Sequence, residues 1–350
     1  MFSWRSRPSH QITVKELWVY PIKSCRGTSV QESTYGEEGL EFDRQWMLVE
    51  KETHKMLTAR TIPKMVLIHP VINRTSGMLD ITVPTSSQPD CATSTTFSVP
   101  LAHPATYLPD PSSDPSLDHD FVVWGCAPQD GYAVGSPELL EALSSFMGRE
   151  VLLIRKGETK RNVQEVPGVV HSEGLDPVLG FADFYSMLVA SARSLNELTS
   201  RIPSLSSEKE FNPARWSPSA IAQQGGIEIT RFRANILVDG DGLEPFEEDG
   251  WKQIKIGEDE RIECGFRCAR CMLPSVDPAT GVRDKLLPDG VMKDRFVQPL
   301  SSKKVCFGIL SSPHKKEGGI LKVGDSVSIL EAYPKSKDGS YVRNEDRVEQ

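Results

Sequence analysis

The stretch Cys268–Gly281, CARCMLPSVDPATG, sets the expectation for the whole 350-residue chain. In it the thiol of Cys271 precedes a turn-forming Asp-Pro-x-Thr-Gly sequence. A strand-like stretch that carries two arginines, Arg231–Val238, lies upstream. Thiolates bind soft metals, and arginine forks bind anions. The two segments therefore offer a metal ligand and an anion-binding group.

Three cysteines share this region, and the spacing Cys264-x3-Cys268-x2-Cys271 matches the iron–sulfur loop of radical S-adenosylmethionine enzymes. Those enzymes place the loop ahead of most of their barrel, and they usually have an aromatic residue where this chain has Arg270. Structural zinc needs a second pair of ligands, which the sequence does not offer. We therefore interpret Cys264 and Cys268 as buried packing thiols and Cys271 as the reactive one. Arg267 and Arg270 lie close to it in sequence and favour a thiolate.

The composition excludes several classes of function. The formal net charge is −8, so a nucleic-acid partner is not expected. No apolar run reaches the roughly 20 residues that a membrane helix needs, and no apolar stretch follows the N-terminal arginines as it would in a signal peptide. Seven cysteines, an odd number, do not indicate a disulfide framework. We expect a reducing compartment, with the cytoplasm as first choice and mitochondrial association as the alternative.

Many short strands with few helices predict a mainly β fold with attached helices, an α+β protein built on barrel-like sheets. Two helices are expected, one that starts after Ser136 and ends at Gly148, and one over Ser191–Arg201. Residues 84–118, rich in Pro, Ser, Thr and Asp, are expected to form a long loop. A loose charged tail is expected from Lys335 onward. The predicted strands are Val14–Tyr20, Arg44–Glu50, Lys64–Ile68, Val151–Arg155, Gly226–Thr230, Asn235–Val238, Trp251–Ile256, Arg261–Cys264 and Leu321–Leu330.

Several separated motifs resemble the MOSC domain, named for the C-terminal part of molybdenum-cofactor sulfurases, and the N-terminal β-barrel domain that precedes it in many members. In chain order they are Val19–Gly27, Phe42–Val49, Leu57–Arg60, Arg233–Ile236, Cys271–Gly281 and Leu321–Val327. The first three belong to the N-terminal domain and the last three to MOSC. The likeness is strongest to the mitochondrial amidoxime-reducing components. It implies an N-terminal MOSC β-barrel domain over residues 12–135 and a MOSC domain over residues 136–334, followed by the tail over 335–350.

The resemblance also implies a cofactor, molybdenum–molybdopterin, whose dithiolene holds the metal and whose tail is a phosphate. In the reducing-component branch one protein cysteine completes the sulfur ligation of the metal, and Cys271 stands at that position. Bidentate arginine suits phosphate and the flat pterin edge, and lysine supplies a point charge. Ser191 is equally suited to cap a helix. The side chains expected around the cofactor are Lys23, Ser24, Arg44, Ser191, Arg233, Asn235 and Arg270.

Two functions of different classes remain open. By resemblance, the chain is a molybdenum-dependent oxidoreductase that reduces N-hydroxylated small molecules such as amidoximes, and Asp183 and Asp277 are the candidate acids. The chain lacks a Gly-x-Gly-x-x-Gly dinucleotide motif, and the resemblance implies a cytochrome b5-type haem protein with its NADH-dependent flavin reductase as the electron source. The alternative is a sulfur carrier that holds a persulfide on Cys271. Related carriers are attached to pyridoxal-phosphate desulfurases, for which this chain has no room, so its sulfur would come from a separate donor.

Overall fold

The structure of the chain, a computed structural model, describes residues 11–85, 93–104, 117–121, 123, 128–162, 178–205, 226–283, 287, 290–297, 304–315, 317–337 and 340–343. The strands are β1 (Ile12–Val19), β2 (Thr28–Val30), β3 (Glu32–Gly36), β4 (Gly39–Leu40), β5 (Trp46–Glu50), β6 (His69–Asn73), β7 (Met78–Pro84), β8 (Ser94–Pro100), β9 (Leu117–Phe121), β10 (Gln129–Val134), β11 (Val151–Lys156), β12 (Arg161–Asn162), β13 (Val178–Leu179), β14 (Met187–Ser191), β15 (Ile236–Gly240), β16 (Trp251–Ile256), β17 (Glu260–Ala269), β18 (Cys306–Pro313), β19 (Gly319–Lys322) and β20 (Ser326–Ala332). The helices are α1 (Pro137–Met147), α2 (Ala192–Ser200) and α3 (Ile202–Leu205), with 3-10 helices at Pro63–Leu67, Ile229–Arg231, Glu247–Gly250 and Leu273–Ser275. Strands dominate, so the predicted fold class is confirmed.

Seven strands form a closed barrel in the order β15-β14-β18-β17-β16-β20-β1, and the pairing of β1 with β15 closes it. The neighbours are antiparallel except for the parallel pair β14–β15. The first strand contributes Val14, Leu17 and Val19 to the barrel core, and a register shift between Val14 and Glu16 interrupts its alternation. The barrel therefore uses a strand from the very start of the described chain to complete strands that lie after residue 187.

Apart from β2, which pairs with β1, the remaining strands form separate sheets. One has the order β5-β11-β10-β9 and another the order β6-β7-β8. Helix α1 packs against them, with Leu139, Leu143 and Phe146 in the same core cluster as Trp46 and Ile81. The division of the chain at residues 135/136 stays a prediction. The sheets cross this boundary in both directions. Strand β11 follows it and pairs with β5 and β10, which precede it. Strand β1 precedes it and belongs to the barrel, whose other strands follow it.

The two predicted helices are confirmed, and their ends are explained by local chemistry. Ser136 caps α1 by accepting a hydrogen bond from the backbone N–H of Leu139 at 3.3 Å. Gly148 ends the helix in the left-handed conformation, with φ of 73°. Ser191 caps α2 in the same way as Ser136 caps α1. No helix among the described residues is both long and apolar enough to cross a membrane.

Four predicted segments are wrong. Lys64–Ile68 was expected as a strand, but Pro63 favours the first turn of a helix and Pro63–Leu67 is a 3-10 helix. The stretch 226–230 was also expected as a strand, but it leads into the 3-10 helix Ile229–Arg231, in which Ile229 is buried. The expected long loop over 84–118 contains β8, whose threonines favour the strand that pairs with β7; residues 86–92 and 105–116 of it lie outside the described residues. The strand expected over Leu321–Leu330 is two strands, β19 and β20, because the chain turns between them at Gly324, whose φ is 92°.

The tail expected to be loose from residue 335 is packed where the structure describes it. Lys335 pairs with Tyr341 in a short antiparallel bridge. Arg343 is fully buried and donates hydrogen bonds to four backbone carbonyls, among them those of Trp251 at 2.9 Å and Gly265 at 2.7 Å. A guanidinium with several buried acceptors fastens the chain to the barrel, which a charge count alone does not reveal.

Candidate functional site

A cavity of about 470 Å³ is lined by residues from both halves of the chain. The N-terminal half contributes the loop after β1 and the loops on either side of β5. The barrel contributes β14, β17, β18 and the segments that begin at Ala182 and precede β15. Among the described lining residues, one acidic side chain, that of Asp183, faces a group of cations. The cations are Lys23, Arg44, Arg60, Arg233, Arg270 and Lys304.

Cys271 lies directly after β17 on the wall of this cavity and is partly exposed. A register shift between Arg267 and Ala269 interrupts the pairing of β17 with β18. A bulge re-aims side chains, and both Cys268 and Ala269 line the cavity here, although strict alternation would turn one of them away. The Sγ atom of Cys271 accepts a hydrogen bond from the backbone N–H of Leu273 at 3.5 Å. The end of β17 therefore presents a thiol with a fixed backbone donor to the cavity.

The turn after Cys271 forms as predicted. The Oδ1 atom of Asp277 accepts hydrogen bonds from the backbone N–H groups of Ala279 at 2.7 Å and Thr280 at 3.1 Å. Its Oδ2 atom accepts one from Arg231 Nη2 at 3.0 Å, which ties the turn to the segment before β15. Asp277 is not among the described residues that line the cavity, so its carboxylate supports the loop that carries the thiol.

Arg233 occupies a conformation that non-glycine residues rarely adopt, with φ of 57°. Its Nη1 atom donates to the carbonyl of Cys25 at 2.6 Å, and its guanidinium lies 4.3 Å from the ring centroid of Tyr20. Burial, together with the neighbouring Arg44 charge, lowers the pKa of Arg233 to about 10. Its Nη2 atom is buried and has no hydrogen-bond partner among the described residues. An anion that entered the cavity would satisfy this donor.

Arg44 and Asn235 hold the two halves of the chain together at the cavity. Arg44 forms an ion pair with Asp43 and donates to Asn235 Oδ1 at 3.0 Å and to the Arg233 carbonyl at 3.0 Å. The Nδ2 atom of Asn235 donates to the Trp18 carbonyl at 3.1 Å. Both residues line the cavity as predicted, yet these contacts make them part of its framework.

Arg270 lies beside Cys268 and not beside the predicted thiol. Its Nη1 atom lies 2.8 Å from the Sγ atom of Cys268, and its Nη2 atom donates to the Phe232 carbonyl at 2.7 Å. Its buried Nε atom has no hydrogen-bond partner among the described residues. Burial raises the pKa of the Cys268 thiol even though Arg270 opposes the shift. Cys268, expected to be a packing residue, therefore lines the cavity as a second thiol.

Lys23 is nearly buried and is held by one short segment of the chain. Its Nζ atom donates to the Phe181 carbonyl at 2.8 Å and forms an ion pair with Asp183. The second oxygen of Asp183 accepts a hydrogen bond from Arg60 Nη2 at 2.7 Å. Burial lowers the pKa of Lys23 to about 8, although the Asp183 charge opposes that shift. Ser24 follows with φ of 67° and also lines the cavity.

Two residues linked to the site by sequence are not brought to it. Ser191 is fully buried as the cap of α2, where its Oγ atom accepts the Ser194 N–H at 3.0 Å. Arg267 lies on the other side of β17 and donates to the Tyr341 carbonyl at 2.6 Å. Neither is among the described residues that line the cavity. The capping role, which the sequence left open for Ser191, is the one that the structure shows.

An apolar wall and Arg60 were not predicted as parts of the site. The wall contains Phe184, Tyr185, Phe266 and Leu310. The ring centroids of Phe184 and Tyr185 are 5.6 Å apart, and those of Phe184 and Phe266 are 6.1 Å apart. Aromatic rings at such spacing form a surface for another flat ring. The motif Leu57–Arg60 was a signal for Arg60, whereas no sequence pattern marked the wall.

Three further described cysteines do not line the cavity and are less suited to metal or sulfur chemistry than Cys271. Cys25, Cys264 and Cys306 are buried, and burial raises the pKa of each thiol to about 12. Cys264 is thus the packing thiol that the sequence predicted. Across the described ranges no group of three or more His, Cys, Asp or Glu residues could hold a metal ion. A metal at Cys271 would therefore need most of its ligands from a cofactor.

Comparison of the sequence with known proteins shows its family. Two family models match the chain, the MOSC N-terminal beta barrel domain over residues 11–105 and the MOSC domain over residues 176–328. The mitochondrial amidoxime reducing component 2 of Bos taurus is 30% identical, over 92% of this chain and 85% of that protein. The chain belongs to the MOSC-domain family.

Other relatives narrow what this MOSC protein does. A molybdenum cofactor sulfurase of Aspergillus oryzae is 27% identical over 84% of the chain, which spans 36% of that protein. The YUAD protein of Bacillus subtilis, a solved structure, is 9% identical over 91% of this chain and 94% of that one, with a TM-score of 0.33. The similarity to reducing components and cofactor sulfurases gives this MOSC protein a function associated with the molybdenum cofactor.

Proposed function

We propose that this MOSC protein is a molybdenum-cofactor-dependent reductase of N-hydroxylated small molecules. One observation carries the proposal: a single cavity brings Cys271 together with two arginines, Arg233 and Arg270. Each arginine has a buried side-chain nitrogen without a hydrogen-bond partner among the described residues. Buried charged donors cost free energy when they are left unsatisfied. A phosphate or the edge of a pterin would satisfy them. The donor set therefore fits molybdopterin, with a thiolate beside it for the metal.

The residues divide the work of holding that cofactor. Arg233, Arg270 and Lys23 would bind its anionic and polar groups, and Cys271 would ligate the metal. The wall around Phe184 would pack against flat rings and exclude water from that side. The bound cofactor would supply the redox chemistry. Reduction of an N–OH group consumes two electrons and two protons and releases water.

The electrons would come from a cytochrome b5-type haem protein and its NADH-dependent flavin reductase. The cations around the cavity, set against one lining carboxylate among the described residues, give this face a positive potential. Such a potential attracts a partner with an acidic surface, and encounters of this kind weaken as salt increases. The mitochondrial relatives support mitochondrial association as the alternative to a cytoplasmic location.

The test combines purified protein, NADH and benzamidoxime with and without the haem protein and its reductase, and measures the benzamidine formed. We expect turnover when both partners are present and a lower rate as salt rises. Turnover with NADH alone would contradict the proposed electron source. Failure of molybdenum-loaded protein with both the haem system and an artificial one-electron donor would contradict the reductase itself.

A second candidate function is favoured by the similarity to molybdenum cofactor sulfurases. In it Cys271, partly exposed at the cavity, would carry a persulfide from a separate sulfur donor to a metal centre. Protein purified without metal but with a cyanide-labile sulfur that disappears in Cys271→Ser would support the carrier. Stoichiometric molybdenum and pterin in the purified protein would support the reductase.

A further inference from the structure

One of the residues that line the cavity, Asp183, carries a negative charge. The carboxylate of Asp183 contacts two cations at once, with one oxygen paired to Lys23 and the other 2.7 Å from Arg60 Nη2. The side chain of Lys23 is 6% exposed and that of Asp183 is 40% exposed. Asp183 therefore stands at the entrance and neutralises the buried cation behind it.

The backbone that carries this carboxylate is fixed by a buried arginine. Arg161, which is 5% exposed, donates through Nη1 to the carbonyls of Gly180 at 2.7 Å and Ala182 at 2.6 Å. Its Nη2 atom donates to the carbonyl of Asp183 at 3.2 Å. Lys23 binds the same segment through the Phe181 carbonyl. Because Arg161 holds the backbone of this segment in place, the Asp183 carboxylate can leave Lys23 by rotation of its own side chain.

We propose that Asp183 makes the cavity selective for doubly charged anions. An anion that binds Lys23 and Arg60 must first displace the carboxylate. A monoanion then replaces one negative charge with another and gains little, whereas a dianion brings twice the charge to the same two cations. Electrostatic energy scales with the product of the charges, so the dianion recovers more than the lost ion pairs contributed.

This selectivity identifies the chemical class of group that the entrance admits. The second pKa of a phosphate monoester is about 6, so it is largely a dianion at neutral pH. Carboxylates and phosphodiesters are monoanions under the same conditions. The inference rests on the proposed function, since it assigns the phosphate end of the cofactor to Lys23 and Arg60.

The experiment measures binding of two probes of similar size, methyl phosphate as the dianion and dimethyl phosphate as the monoanion. The full-length chain is purified from cells that cannot make the pterin and is titrated by calorimetry at neutral pH. In the unaltered chain methyl phosphate is expected to bind at least about tenfold more tightly than dimethyl phosphate. In Asp183→Asn the affinity for dimethyl phosphate is expected to rise at least about tenfold, which narrows the difference between the probes. Asp183→Ser removes the same charge with a different side chain, and its affinity for dimethyl phosphate is expected to rise as in Asp183→Asn.

Asp239→Asn is the matched control. Asp239 is a partly exposed carboxylate on β15 that pairs with Lys15 at 3.0 Å and Arg193 at 3.3 Å, so its loss makes the same change in net charge outside the cavity. Both affinities should stay unchanged in this variant. The proposal is overturned if loss of the Asp183 charge leaves dimethyl phosphate binding unchanged or weakens both probes. It is also overturned if the unaltered chain binds the two probes equally or binds neither.

These outcomes are independent of the reductase assay. A chain that prefers the dianion but shows no benzamidoxime turnover would contradict the proposed reductase and leave the role of Asp183 standing. A chain that reduces benzamidoxime but does not distinguish the probes would contradict the role of Asp183 alone.

Discussion

Cys271 lies in the short connection between the end of β17 at Ala269 and the 3-10 helix Leu273–Ser275, and the backbone N–H of Leu273 is directed at its sulfur. Catalytic side chains on rigid elements keep their geometry better than those on free loops. Cys264, seven residues earlier and within β17, is buried in the barrel core. The two cysteines therefore form a matched pair in which one is exposed to the cavity and the other is not.

Replacing Cys271 by Ser should abolish molybdenum-dependent reduction, by more than about a hundredfold, because a hard hydroxyl is a poor substitute for a thiolate. Cys264→Ser should keep most of the activity, since that residue does not line the cavity. The measurement is benzamidoxime turnover with the complete electron-transfer system. Full activity in Cys271→Ser would remove the ligand assignment.

Replacing Arg233 by Ala should lower cofactor content more than it lowers fold stability. Charge-assisted hydrogen bonds to phosphate or pterin contribute about 1.5–3 kcal/mol each, or roughly ten- to a hundredfold in affinity. Arg231→Ala is the structural counterpart, because Arg231 holds the Asp277 turn, and it should lower the melting temperature. Unchanged molybdenum content with a collapsed melting temperature in Arg233→Ala would make Arg233 structural.

The lowered pKa of Lys23, about 8 because of burial, predicts how anion binding depends on pH. Lys23 attracts an anion in its protonated form, which dominates below this pKa, so affinity for methyl phosphate should be lost as pH rises through about 8. Lys23→Arg keeps its charge across this range and should remove the dependence. A titration that shows the same affinity on both sides of the pKa in the unaltered chain would rule out Lys23 as a binding charge.

At the scale of elements, the turn after Cys271 depends on a glycine for two reasons. Gly281 has φ of 68°, and a Cβ atom there would lie 3.1 Å from the Cα atom of Lys64. Gly77 has the same φ with nothing within 4 Å. Gly281→Ala should therefore destabilise the protein by about 1 kcal/mol or more beyond Gly77→Ala, measured by denaturant unfolding. Equal losses in the two variants would show that the contact with Lys64 contributes nothing.

Local signals explain which elements could be predicted from the sequence. Ser136 and Gly148 mark α1 because capping is decided by a few neighbouring residues. Strand β8 was missed because its Thr and Ser residues look like a loop by composition, while its pairing with β7 supplies the hydrogen bonds. The 3-10 helix at Pro63–Leu67 was missed because an apolar run alone cannot distinguish a strand from a short helix.

The same limit applies to the site. The motifs around Lys23, Arg44, Arg233 and Cys271 predicted residues that line the cavity, since each lies in a recognisable stretch. The predicted neighbours Ser24, Asn235 and Arg270 line it as well. The sequence left Ser191 open between a helix cap and a cofactor donor, because its distance from the cavity depends on tertiary packing. The ion pair between Lys23 and Asp183 joins residues 160 positions apart, which no local pattern encodes.

For the whole molecule, the central feature is that neither half of the chain makes the cavity alone. Lys23 and Arg60 come from the N-terminal half, and Asp183, Arg233 and Cys271 come from segments of the barrel half. Strand β1 joins the halves by closing the barrel against β15. The position of the anion-binding charges relative to the thiol therefore depends on the complete fold.

The most direct test of the proposed function is the metal and pterin content of the purified full-length chain. We expect molybdenum and pterin in stoichiometric amounts, measured by elemental analysis and by the fluorescence of the oxidised pterin. Their joint loss in Arg233→Ala, with the fold retained, would place the cofactor in this cavity. Metal-free and pterin-free protein that carries a cyanide-labile sulfur on Cys271 would contradict the account and favour the sulfur carrier.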